Sequence, residues 1–147
     1  MKSLKITSLL IVLSIALCST ITNAQTKSYK DGTVWQVSFI KLKPNMGIDY
    51  LNSLKGNWKA SHDEAQKQGL ILSYKILDGT ASNPDDWDIM LMVEYKNLAS
   101  MEGTDDKWDA IMKSTMGGEE AMRNVNQSRV NIREIYGSKV LREVIYK

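Results

Sequence analysis

The chain has 147 residues, 43 % of them hydrophobic, and its 19 basic against 17 acidic side chains give a formal charge of +2. Such a balance lacks the basic stripe that phosphate contacts require, which excludes nucleic acid as a partner. The single cysteine, Cys18, excludes an internal disulfide, and the length fits one domain.

Lys2 and Lys5 precede an apolar run from Leu9 to Leu17 that is too short to span a bilayer and is soon followed by polar residues. This pattern predicts a signal peptide over 1–24, with small Thr22 and Ala24 at the positions a signal peptidase probes and Gln25 as the first mature residue. The alternative, a lipoprotein cut before Cys18, needs a small residue where the chain has Leu17. A periplasmic or secreted location is therefore expected. Cys18 leaves with the leader, and the loss of Lys2 and Lys5 balances the remaining charges, so no polybasic segment is left for stable membrane association.

The polar stretch 25–32 is expected to be a flexible mature N-terminus, ahead of a domain over 33–147. Thr33 to Leu42 alternates at the strand period, with Trp35, Val37 and Phe39 on one side and Gln36, Ser38 and Ile40 on the other. Pro44, Asn45 and Gly47 end this strand. Ile48 to about Gln68 is helical in pattern, with Leu51, Leu54, Trp58 and Ala65 on one stripe and Gly69 as the stop.

Leu70 to Leu77 predicts a second strand, and Asp78-Gly79 opens a polar loop through Asn83-Pro84. Trp87 to Tyr95 alternates most clearly, with Trp87, Ile89, Leu91, Val93 and Tyr95 facing one way and Asp88, Met90, Met92 and Glu94 the other, as a strand near the sheet centre requires. Asn97 can cap a short turn. A second helical region contains Trp108, Ile111 and Met112 and is broken at Gly117-Gly118 before Glu119. Val140 to Tyr146 predicts the last strand, after an ambiguous stretch from Val130 to Tyr136.

The order strand, helix, strand, strand, helix, strand specifies an α+β, ferredoxin-like βαββαβ fold: a four-stranded antiparallel sheet with helices on one face. The uncovered face is expected to show Ile40, Met90 and Met92 among Gln36, Ser38, Ser73, Lys75, Asp88 and Glu94, and so to need a partner.

Trp35 to Leu54, with its "KLKPNMG" turn and amphipathic helix, followed by Trp58, His62, Glu64 and Gly69, resembles the dimeric α+β barrel superfamily. The segment "DWDIMLMVEYKNLASME" is similar to that superfamily's third strand and following turn, and the nearest groups are those related to antibiotic-biosynthesis monooxygenases and NIPSNAP-like proteins. The resemblance implies a homodimer in which two sheets pair through their open faces, with pockets between sheet and helices. Its members include cofactor-independent oxygenases, haem-degrading enzymes, dehalogenation-pathway proteins and many with no known activity, so it leaves the chemistry open. The haem-degrading branch places asparagine, tryptophan and histidine over several elements; a lone histidine on the first helix departs from that pattern.

His62, the only histidine, follows Trp58 by one helical turn and is the best candidate for a general base or a ligand-orienting donor; a boundary histidine bonded to a neighbour is the alternative. His62, Asp63 and Glu64 do not form a metal site, because successive helical positions diverge by about 100°. No cofactor is implied. Trp58, Gln36, Ser38, Met90 and Met92 are candidates to line a cavity for a small apolar or aromatic ligand, or else a solid dimer interface. Trp35, Trp87 and Trp108 are either further pocket wall or core. Lys75 with Glu94 or Asp88 is expected as a cross-sheet ion pair, and Arg129, Arg133 and Tyr136 suit either an acidic ligand group or helix-end carbonyls.

Three functions follow: an exported small-molecule-binding dimer, a cofactor-independent oxygenase or isomerase with His62 as base, and a non-catalytic protein-interaction module.

Overall fold

A computed structural model describes residues 27–147; the expected leader and its cut site lie outside them. The elements are β1 (Tyr29–Leu42), α1 (Gly47–Leu54), a π-helical turn (Lys55–Lys59), α2 (Ala60–Lys67), β2 (Ser73–Asp78), β3 (Ile89–Tyr95), a 3-10 turn (Leu98–Met101), α3 (Asp105–Met116), α4 (Glu119–Val130) and β4 (Arg133–Tyr146). The strands form one antiparallel sheet in the order β2-β3-β1-β4, the ferredoxin-like arrangement.

Local chemistry explains the boundaries. Asn45, at φ 64°, turns the chain from β1 toward α1 in a left-handed conformation that asparagine tolerates. At the end of α2, Gly69 takes φ 72° and donates to the Gln66 carbonyl, while Leu70 donates to Ala65, a Schellman ending whose Leu70 and Ala65 side chains join the core. Asn97 caps the 3-10 turn by exchanging hydrogen bonds with Ser100. Gly117 and Gly118 both have positive φ and break the second helical region into α3 and α4.

The helix-covered face holds two packed groups. Val34, Val93 and Tyr95 meet Ala65, Leu70, Ile71 and Ile111 at one end, and Ile40, Ile89 and Leu91 meet Tyr50 and Leu54 at the other. Val34 and Ile40 are only 1 % and 2 % exposed.

This arrangement corrects the expected faces of β1. Gln36 pairs with Val93, Ser38 with Leu91 and Ile40 with Ile89, so all three residues lie on the covered face. Trp35, Val37 and Phe39 instead pair with Glu94, Met92 and Met90 on the open face. The apolar triplet suggested a core side, and Val37 is itself only 1 % exposed, but the helices pack against the side that carries Val34 and Ile40.

The strand ends differ as well. β1 begins at Tyr29, paired with Tyr146, so part of the stretch expected to be loose is strand. β4 begins at Arg133, seven residues ahead of Val140, because a register shift between Phe39 and Ile40 lets the ladder continue past Gly137. β2 begins only at Ser73, since Leu70 and Ile71 are used in the helix-to-strand turn. The expected ion pair of Lys75 with Glu94 or Asp88 is replaced: Lys75 lies over the Trp35 ring, Glu94 accepts from Thr33 and Ser73, and Asp88 accepts from the Leu42 backbone N–H.

Candidate functional site

The π-helical turn carries Trp58, and the Trp58 carbonyl accepts a hydrogen bond from the Ser61 hydroxyl at 2.9 Å. The same oxygen lies 2.6 Å from His62 Nδ1. A carbonyl has no proton to give, so Nδ1 carries the hydrogen and donates. In the neutral ring the lone pair is then on Nε2.

Three aromatic rings confine the imidazole. Trp58 stacks on it at 3.9 Å between centroids with planes 25° apart, while Tyr74 and Trp108 approach at 5.7 and 5.5 Å. Burial lowers the His62 pKa from its ordinary 6.5, against the Trp58 carbonyl bond and the charge of Asp63, which favour the cation. His62 is therefore neutral near pH 7. Asp63 is held by Lys59 at 2.6 Å and also accepts from the Tyr74 hydroxyl, so the pair sets the Tyr74 ring against His62. Those two donors, Lys59 first, keep the Asp63 carboxyl below its ordinary value.

A partly enclosed cavity of about 280 Å³ lies between this cluster and the sheet. Trp58, His62 and Trp108 form the helical wall, and Gln36, Ser38, Leu91, Val93 and Tyr95 form the sheet wall. The Tyr95 hydroxyl donates to Gln36 Oε1 at 3.4 Å, which leaves the Gln36 amide N–H groups as donors. The cavity is thus lined by the neutral imidazole of His62, donors at Gln36 and a hydroxyl of either sense at Ser38, among apolar and aromatic walls. Among the described residues no group of three or more His, Cys, Asp or Glu side chains could hold a metal.

Of the candidate residues, the fold brings His62, Trp58, Gln36 and Ser38 together, with Trp108. It separates Met90 and Met92, which pair with Phe39 and Val37 on the open face and do not touch this cavity. Trp35 and Trp87 are on that side too, Trp87 with its ring 5.4 Å from Phe39. Arg129 is buried against Ser53 of α1, and the Tyr136 hydroxyl donates to the Asp85 carbonyl. Tyr74 and Tyr95 were not among the candidates. The signal for Tyr95 was available, since it ends the alternation that begins at Ile89.

A broader depression of about 590 Å³ lies at the α3–α4 elbow over Gly117 and Gly118. Exposed Asp109, Lys113 and Glu119 line it, and it shares no residue with the His62 cavity. No described helix is long and apolar enough to cross a membrane.

No family model matches the sequence, and no curated protein matches it. Among solved structures, HapK from Hahella chejuensis is similar at 10 % identity and a TM-score of 0.48, over 75 % of this chain and 91 % of HapK. A dimeric protein of unknown function and ferredoxin-like fold from Bacteroides fragilis NCTC 9343 is similar at 14 % identity and a TM-score of 0.41, over 81 % of this chain and 99 % of that protein.

Proposed function

We propose that this chain is an exported homodimer of the dimeric α+β barrel type that binds a small, flat, largely apolar molecule in the cavity beneath Trp58, His62 and Trp108. One observation carries the proposal. Gln36 and Ser38 lie on the covered face of a central strand, between fully buried Val34 and Ile40, where a packed core would place apolar side chains. Gln36 is exposed and Ser38 half-buried where they line the cavity, so both are open to a ligand bearing hydroxyl or carbonyl oxygens on an aromatic frame. The second subunit serves the other face, where half-buried Trp35, Phe39, Met90 and Met92 surround buried Val37 and no helix packs over them.

A catalytic role is favoured by the state of His62. With Nδ1 bound to the Trp58 carbonyl and the ring neutral, Nε2 is an acceptor beside the ligand space, the condition for a general base in a cofactor-independent oxygenase or isomerase.

Screening aromatic and haem-like compounds by thermal shift, followed by tryptophan fluorescence, tests both roles. A cavity ligand stabilises the fold by about 2.7 kcal/mol at one hundred times its Kd and quenches emission, and Trp58→Phe and Trp108→Phe each remove part of the quenching. A ligand that stabilises without quenching binds elsewhere and refutes the site. Retained binding with lost turnover in His62→Gln marks the enzyme; binding with no turnover in either protein marks the carrier.

A further inference from the structure

Arg129, on the last turn of α4, is 7 % exposed, and its hydrogen bonds go to a single residue. Its Nη2 donates to the Ser53 carbonyl at 2.9 Å, and its Nε donates to the Ser53 hydroxyl at 3.3 Å. Neither acceptor is charged. Arg133, the first residue of β4, pairs with Leu42, and its guanidinium carbon lies 5.9 Å from the centre of the Tyr50 ring. The Arg133 Nε is buried and has no hydrogen-bond partner.

No ion pair joins either arginine to a described carboxylate. The adjacent acid is unavailable: strand alternation turns Glu134 to the opposite face, where it pairs with Lys43. Burial weakens the Arg129 cation, and the charge of Arg133 adds to that effect against the favourable pull of Tyr50. Two guanidinium groups set against Ser53 and Tyr50, one turn apart on α1, one of them buried and the other with an idle buried donor, lack the counter-charge that such groups normally hold.

We propose that Arg129 and Arg133 form an anion site, beside Tyr50, for a small phosphate or carboxylate group. Planar guanidinium donors suit either oxyanion, and the slight exposure of Arg129 limits the occupant to a compact one. The site shares no residue with the cavity under His62.

The test is thermal unfolding of the exported protein in rising inorganic phosphate, with ionic strength held constant by chloride. The midpoint rises and saturates as for one site. Arg133→Met weakens the apparent phosphate affinity by about tenfold or more. Its midpoint without phosphate stays level or rises, because an unpartnered buried donor has been removed. The comparison with Arg133→Met removes the general stabilisation that phosphate gives by exclusion from protein surfaces, which acts on both proteins alike. Equal responses from the two proteins overturn the proposal, as does a wild type indifferent to phosphate. Dissociation of a dimer by Arg133→Met in a protein that ignores phosphate assigns the pair to a subunit contact and equally overturns it. Arg129→Met is the more severe change, since it also releases α1 from α4; Arg133→Met decides the matter with that tie intact.

Discussion

The two faces of the sheet are furnished against expectation, in opposite senses. The covered face has polar Gln36 and Ser38 at its centre, and the open face has Trp35, Val37, Phe39, Met90 and Met92 at its centre. Polar groups placed where a core belongs keep a cavity from collapsing into packed hydrocarbon. Apolar groups placed where water belongs mark a surface destined for cover. The same strand supplies both, because alternation turns Gln36 and Ser38 to the covered face and Trp35, Val37 and Phe39 to the other. The long edge strand β4 extends the contrast, with Ile135, Val140, Leu141 and Tyr146 exposed on a ladder that β1 holds on one side only.

The largest expected effect comes from charging the open face. Met92→Asp places a carboxylate in the centre of the proposed subunit contact, where an unpaired buried charge costs about 3–5 kcal/mol. Dimer affinity should fall by at least ~100-fold. In the separate subunit the same side chain faces solvent, so circular dichroism of the variant should match the wild type while light scattering reports half the mass. A wild type that is already monomeric removes the contrast between the faces.

Much of this division was legible from the sequence, and the exception is instructive. The alternation gave the central strand and its faces from Ile89 to Tyr95, though Trp87, expected on the Ile89 side, precedes the strand and packs against Phe39 on the open face; the stripe Leu54, Trp58 and Ala65 gave the helix, and Gly117-Gly118 gave the break between α3 and α4. β1 was misassigned because both of its sides carry apolar residues, and Trp35, Val37 and Phe39 outweigh Gln36 and Ser38 in any local measure of hydrophobicity. The deciding information, the register of Ser38 against Leu91, joins residues far apart in the chain. His62 was found by its helical spacing from Trp58; its contacts with Tyr74 and Trp108 depend on tertiary packing that no local pattern encodes. The charges and Gly137 in the stretch before Val140 hid the first half of β4, where a bulge accommodates them.

Filling the covered face sharpens the comparison at smaller scale. Ser38→Val puts an apolar side chain between Val34 and Ile40, and should raise stability by about 1 kcal/mol in denaturant unfolding while abolishing ligand-induced fluorescence quenching. A site kept polar for function gains stability when function is removed. A loss of about 1 kcal/mol instead would make Ser38 a structural hydrogen-bonding residue and the cavity incidental.

The smallest effect concerns pH and belongs to the covered face alone. Burial holds the His62 pKa below 6.5, so as pH falls through that value the unfolded chain takes up a proton that the folded protein refuses. Stability is therefore full above about pH 6.5 and declines as pH falls toward the lower folded value. The Trp58 carbonyl and Asp63 oppose the shift, which keeps the decline shallow. Asp63, Glu64, Asp86 and Glu134, whose folded pKa values are also lowered, begin to lose their contributions only near the carboxylate range, at more acid pH. Unfolding midpoints between pH 7 and 5 should thus fall more in the wild type than in His62→Gln, which has no proton to gain. Parallel curves would mean that the imidazole is as free to ionise in the folded protein as in water, and an acceptor at Nε2 could not then be maintained through burial.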